Sequence, residues 1–300
     1  MAHAGIRSVD GVVDTFRGRE GAGFEIRRPF PTPRFERLDP FILLDEMGPT
    51  ENGPGQARGA PDHPHRGFET VTYLLSGEMD HRDSRGGGGR LVPGDAQWMT
   101  AGAGIVHSEL PTPRILRDGG RMHGFQLWVN LPATEKMTRP RYQDLRSAAI
   151  PAVPTLDGKG RVSVLSGEAL GATAATRTHT PILYLHVSLD PAGVVELPVP
   201  RGWNAAAYLF RGRASLGAGD DRPAAVSGQL AVLAHDGDAV RLQAGPDGAE
   251  LLLLAGEPIG EPMVHYGPFV MNTEGQIMEA IADYRAGRMG EIPPELSESA

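Results

Sequence analysis

The chain has 300 residues, 40% hydrophobic and 22% charged, with a formal net charge of −8 at pH 7. That is enough apolar material for one large domain or two of ordinary size. The acidic balance and scattered basic residues argue against a dedicated nucleic-acid surface, which relies on clustered Lys and Arg. Cysteine is absent, which excludes disulfides, zinc ribbons, cysteine-ligated iron–sulfur clusters and thiol nucleophiles, so any metal must be held by nitrogen and oxygen. Forty glycines and 26 prolines favour many turns between short strands. The N-terminal residues lack the apolar core of a signal peptide and no apolar run approaches membrane-spanning length, so a cytoplasmic protein is the expectation.

In chain order, short strands are predicted at 11–13, 23–28 and 41–46, followed by a loop at 48–55 with its Gly and Pro. Asp62-His63-Pro64-His65 reads as the next strand. A strong β-branched and aromatic run, Thr70-Val71-Thr72-Tyr73-Leu74-Leu75, follows and ends at Ser76-Gly77. Gly86-Gly87-Gly88-Gly89 lacks the lysine and following helix of a phosphate cradle, which leaves a mobile hairpin tip. Strands resume at 96–100, at Ile105-Val106-His107-Ser108-Glu109 and at Phe125-Gln126-Leu127-Trp128-Val129-Asn130. Residues 133–160 look like a connector, and strands return at 161–165, 182–187 and 229–233. Thr273-Glu274-Gly275-Gln276 fits a capping box, with Ile277, Ala280, Ile281 and Tyr284 on one helical face and Gly287 as the stop. Residues 293–300 are expected to fray.

Side chains at i and i+2 of a strand point the same way, about 6.6 Å apart along the backbone. His63 with His65 and His107 with Glu109 are two such pairs. On neighbouring strands they bring three imidazoles and one carboxylate to a single ion. A lone H-x-H is more often a solvated strand edge, but a second pair of metal-capable residues weakens coincidence.

An internal repeat bears on this. Gly67, Tyr73, Leu74 and Gly77 recur as Gly202, Tyr208, Leu209 and Gly212 at an offset of 135. Gly94-Asp95 and Ala101-Gly102 recur as Gly237-Asp238 and Ala244-Gly245 at an offset of 143, which implies an eight-residue insertion between. Two β-sandwich or barrel domains of similar topology follow. At those offsets His63, His65, His107 and Glu109 map onto Pro198, Pro200, Glu250 and Leu252, so one copy alone is armed. A histidine demanded by the fold would recur in both copies, which favours function.

Asp62-His63-Pro64-His65-Arg66-Gly67-Phe68-Glu69-Thr70-Val71, Pro93-Gly94-Asp95-Ala96-Gln97-Trp98-Met99-Thr100-Ala101-Gly102 and Gly104-Ile105-Val106-His107-Ser108-Glu109 closely resemble the pirin family of the cupin superfamily. Gln126-Leu127-Trp128-Val129-Asn130-Leu131-Pro132, Gly256-Glu257-Pro258-Ile259 and Gly267-Pro268-Phe269-Val270-Met271-Asn272-Thr273 match as well. The resemblance implies an all-β bicupin, two tandem jelly-roll barrels packed face to face with a C-terminal helix. The implied division is a metal-binding domain at 1–140, a linker at 141–160 and a metal-free domain with the terminal helix at 161–300. It implies one non-haem Fe(II) on His63, His65, His107 and Glu109, although an N/O site also accepts other first-row metals.

Two activities go with the resemblance. The first is quercetin (flavonol) 2,3-dioxygenase chemistry with O2, in which Glu109 is the catalytic base as well as a ligand. The second is an iron- and redox-dependent regulator binding a transcription factor or metabolic enzyme. A sugar-binding jelly roll with a vestigial site is a third, weaker reading. Glu69, four residues after His65, matches its parity if the strand continues, and is otherwise a supporting or exposed residue. Gln126 and Trp128 share a face and line the cavity, with core packing as the alternative for Trp128. His81 and His123 read as surface or wall residues, and His179, His186, His235 and His265 as structural residues of the unarmed half.

Overall fold

The computed structural model describes residues 5–218 and 222–293, and it is built almost wholly of antiparallel strands. The expected fraying at 294–300 lies outside the described residues. The chain forms two compact units, one of Met1–Gly18, Arg27–Glu46 and Leu145–Gly260, the other of Arg19–Ile26, Met47–Asp144 and Glu261–Ala300. The linear division at 140 and 161 is therefore corrected at both ends. The N-terminal strand Val9–Asp14 pairs with Gln229–Leu233, and the terminal helix belongs with the histidine-bearing unit. The connector is also structured: Arg141–Leu145 joins the sheet beside Ala96–Thr100, and Ala152–Pro154 pairs with Gly160–Ser166. Such short edge strands leave too few alternating residues to show a period.

In the histidine-bearing unit a four-stranded sheet runs Ala60–His65, Ile105–Pro111, Met79–Asp83, Gly88–Leu91. Opposite it Arg141–Leu145, Ala96–Thr100, Phe68–Ser76 and Gly120–Asn130 are successive neighbours. The β-branched and aromatic composition of Phe68–Ser76 suits a strand between two partners, and its first seven residues are buried. Gly67 separates this strand from Ala60–His65. Its φ is +88°, and a Cβ there would lie 2.0 Å from Val270 O, so only glycine fits the turn. The glycine run is a hairpin tip with its own scaffold. The Asp83 carboxylate accepts from Arg85 N at 2.6 Å and Gly87 N at 3.1 Å, while Gly88 and Gly89 already pair with Arg82 and His81.

The terminal helix, Glu274–Arg285, begins at the expected capping box: Thr273 Oγ1 accepts from Gln276 N at 3.3 Å and Gln276 Oε1 accepts from Thr273 N at 3.1 Å. Ile277 and Ala280 bury against Val106, Phe269 and Met271. Tyr284, expected on that face, is 41% exposed. Two cations bind the segment to the unit. Arg66 donates to Ala103 O at 2.8 Å and to Asp283 Oδ2 at 2.7 Å. Lys136 Nζ, fully buried, donates to Gly67 O, Asn130 Oδ1 and Val270 O at 2.8, 2.7 and 2.9 Å.

The other unit contains a nine-stranded sheet, and its core includes Val164, Leu185, Leu197, Val240, Leu242 and Leu253. Its ladder corrects the repeat. Gly94 N donates to Leu74 O, and Gly228 N donates to Leu209 O. Gly94 therefore matches Gly228, an offset of 134, and no eight-residue insertion exists. The Ala244-Gly245 echo is unrelated, because that pair lies inside the strand Ala239–Gly256, and short Gly-Asp and Ala-Gly pairs recur by chance. The rung His63↔His107 then corresponds to Leu197↔Val240, both fully buried. The expected mapping onto Pro198 was one residue out, which in a strand is the opposite face. The asymmetry itself stands: where one unit carries imidazoles, the other carries aliphatic core.

Replacing Lys136 with Met removes the donor to three buried oxygens. A loss of about 3 kcal/mol of unfolding free energy is expected, each unsatisfied buried acceptor costing about 1–3 kcal/mol before relaxation. A urea-denaturation midpoint unchanged from wild type contradicts that role.

Candidate metal centre

Antiparallel pairing of Ala60–His65 with Ile105–Pro111 sets His63 directly across from His107 and His65 across from Ile105. His63, His65 and His107 converge, their candidate ligand nitrogens all within 4.8 Å of one another. The ring centroids lie 4.7 Å (His63–His65), 4.4 Å (His63–His107) and 5.0 Å (His65–His107) apart. His65 and His107 are buried and His63 is half-buried.

Their protonation suits a cation. Burial first, then the neighbouring imidazoles His63 and His107, holds His65 well below the ordinary histidine range. Burial, with His63 and His81 adding to it, does the same for His107. Neutral imidazoles are the form that binds metal. His63 Nδ1 lies 2.7 Å from Pro61 O; a carbonyl only accepts, so this nitrogen carries a proton and Nε2 is the one left to face a cation. His65 Nε2 and both nitrogens of His107 are buried with no protein partner. Buried polar atoms without partners are rare, and one from each of these two rings, converging with His63, fits a cation.

Glu109 shares a strand with His107 but not its cluster. A register shift between His107 and Glu109 interrupts the pairing with the His63 strand. The carboxylate is not in the histidine group: Oε1 accepts from Thr72 Oγ1, and Oε2 accepts from Gln126 Nε2 at 2.9 Å. Glu69 is neither a fourth member of the group nor exposed. The Gly67 turn carries it into the opposite sheet, where it is fully buried and accepts from Thr100 Oγ1 at 2.6 Å.

Gln126 and Trp128 do line the site. Both are half-buried, and the Trp128 ring lies 5.2 Å from His65 and 4.3 Å from Phe68. His81 is a buried residue directly across the ladder from Glu109, stacked on Tyr142 at 5.2 Å. Nothing local distinguished it from a surface histidine; the signal was its i, i+2 relation to Met79 and Asp83 on a strand whose place in the sheet the sequence does not state. His265 belongs to the histidine-bearing unit, 5.7 Å from the Trp128 ring, and is not a structural residue of the other one. Among the described residues no helix is long and apolar enough to cross a membrane.

Comparison with known proteins gives this geometry a context. The Pirin family model matches residues 23–129, and the Pirin C-terminal cupin domain model matches residues 184–290. The chain is 45% identical over 273 residues to the human protein named Pirin, covering 90% of each. It is 44% identical over 271 residues to a Pirin-like protein of Caulobacter vibrioides, covering 90% of this chain and 94% of that one. The crystal structure of a protein named quercetin 2,3-dioxygenase from Acinetobacter baumannii superposes with a TM-score of 0.89 at 36% identity, over 96% of this chain and 100% of that one. The all-β fold with two cupin-type domains and a C-terminal helix, together with these matches along most of the sequence, means that the chain belongs to the pirin family.

Proposed function

We propose that this protein is a metal-dependent dioxygenase acting on a flavonol such as quercetin with O2. The metal is iron(II), held by His63, His65, His107 and Glu109. The observation that carries the reading is the group of three convergent imidazoles, two of them buried and held well below the ordinary histidine range by that burial. The likeness to the protein named quercetin 2,3-dioxygenase supports the substrate class. Three imidazoles and a carboxylate are a donor set that suits a first-row divalent ion and leaves positions open on a six-coordinate metal.

When bound, the metal supplies Lewis acidity that lowers the pKa of the substrate's enol hydroxyl, and redox capacity toward O2. The protein residues do the rest. Trp128, half-buried beside His65 and backed by the buried Phe68, offers an apolar face on which an aromatic ring stacks. Gln126, half-buried, presents an amide at the same opening. Glu109, held by neutral donors from Thr72 and Gln126, takes the enol proton as general base. The Thr72 hydroxyl and the Gln126 amide are the partners that the carboxylate leaves when it joins the imidazoles.

Two measurements test this. Metal-free protein given iron(II) at about 100 times its Kd gains about 2.7 kcal/mol of stability. The thermal midpoint rises accordingly, and His107→Ala abolishes the rise while His235→Ala leaves it intact. Equal shifts in His107→Ala place the metal elsewhere. Iron-loaded protein also consumes O2 when given quercetin. Glu109→Gln, at equal iron content, lowers kcat by about 100-fold, the usual scale of a lost general base. Oxygen uptake no greater than that of His65→Ala removes the dioxygenase reading.

A further inference from the structure

A cavity of about 370 Å3 opens in the histidine-bearing unit, and none of His63, His65, His107 or Glu109 lines it. Strand register explains its place. Gln126 sits across from Thr72, and Gly124 sits across from Leu74 two residues on. The cavity floor is therefore the next rung of the sheet face whose preceding rung holds Glu109. That floor is Leu74, Met79 and Met122, a small apolar cluster completed by Leu91. Opposite Leu74 the rung is glycine, so one wall is bare backbone.

The rim is charged, and its charges are unequal in their pairing. Arg19 pairs with Glu25 at 3.4 Å, and Glu51 pairs with Arg121 at 3.5 Å. Arg58 is exposed and bonded through Nη1 to Gly55 O at 2.7 Å and Ala57 O at 3.0 Å. Among the described residues it is the one charged group of this rim without an oppositely charged partner. A carbonyl does not neutralise a guanidinium, and the remaining N–H groups of the fork retain the geometry that takes a carboxylate.

We propose that this cavity is a second ligand site, for a small planar aromatic carboxylate, separate from the metal centre. The rings lie on Met79 and Met122, whose thioethers adapt to and attract aromatic faces, and the carboxylate reaches Arg58. The volume is near the lower end of ligand pockets, about 300–1,000 Å3, which sets the size at about two fused rings. The site does not rest on the dioxygenase reading, and each stands or falls alone.

The probe is 2-naphthoate, titrated by calorimetry into the metal-free full-length protein. Saturable binding at one site per chain is expected, with the same affinity in His65→Ala, which lacks an intact histidine centre. Arg58→Ala weakens binding by about tenfold or more, the worth of one charge-assisted hydrogen bond. Ala22→Trp, which places an indole at the exposed rim, blocks it; if circular dichroism shows that variant misfolded, Thr50→Trp takes its place. Absence of saturable binding overturns the site. So does loss of binding in His65→Ala, which places the probe at the histidines, or binding indifferent to Arg58→Ala and the filling variant.

Discussion

The cross-strand rung of His63 and His107, with His65 beside it, is the constraint on which this structure depends. A buried polar group without a partner costs about 1–3 kcal/mol, and here the imidazoles of His65 and His107 accept that cost side by side. Packing does not require them. The other unit is an internal control, because Leu197 and Val240 occupy the corresponding rung and close an ordinary aliphatic core. Two copies of one topology, one sealed by hydrocarbon and one left with convergent lone pairs, differ in chemistry and not in folding need.

The surroundings of the histidines follow from holding that rung. The chain must leave the His65 strand at once and enter the opposite sheet, which Gly67 permits by its left-handed turn against Val270 O. The turn leaves carbonyls in the interior, and the Lys136 ammonium answers them, tying Gly67 to Val270 and Asn130. Arg66, next to His65, fixes the same turn to the terminal helix through Asp283. The C-terminal segment is thus a brace for the histidine-bearing unit, and the terminal helix lies with that unit although the chain reaches it last.

Period-two spacing makes the ligand candidates legible in the sequence, because a strand projects i and i+2 together whatever its neighbours are. The capping box at Thr273 and Gln276 is legible for the same reason: its information is local. What depends on partners is not. The sequence does not state which strand lies beside which, so His81 reads as either a surface or a wall residue and Glu69 keeps an apparent parity with His65 that the Gly67 turn destroys. Lys136 stands alone in a stretch without period and gives no sign of burial. The repeat is visible as a motif, but chance dipeptide matches place its second half about ten residues out, and a one-residue slip puts Pro198 where Leu197 belongs.

Glu109 raises the sharpest physical question. Its carboxylate is engaged by Thr72 and Gln126, away from the imidazoles, and a buried charge that changes partners ordinarily leaves orphans behind. Here the donors have an alternative, since Gln126 Nε2 lies 3.4 Å from Thr72 Oγ1. With the carboxylate gone, the amide donates to the hydroxyl oxygen, and only the Thr72 O–H is left to find a new acceptor. Both donors are neutral, so the exchange breaks no ion pair. A carboxylate that is released at little cost is suited to joining three imidazoles around a cation and to taking a proton from a substrate. A rigid salt bridge at the same position would oppose both.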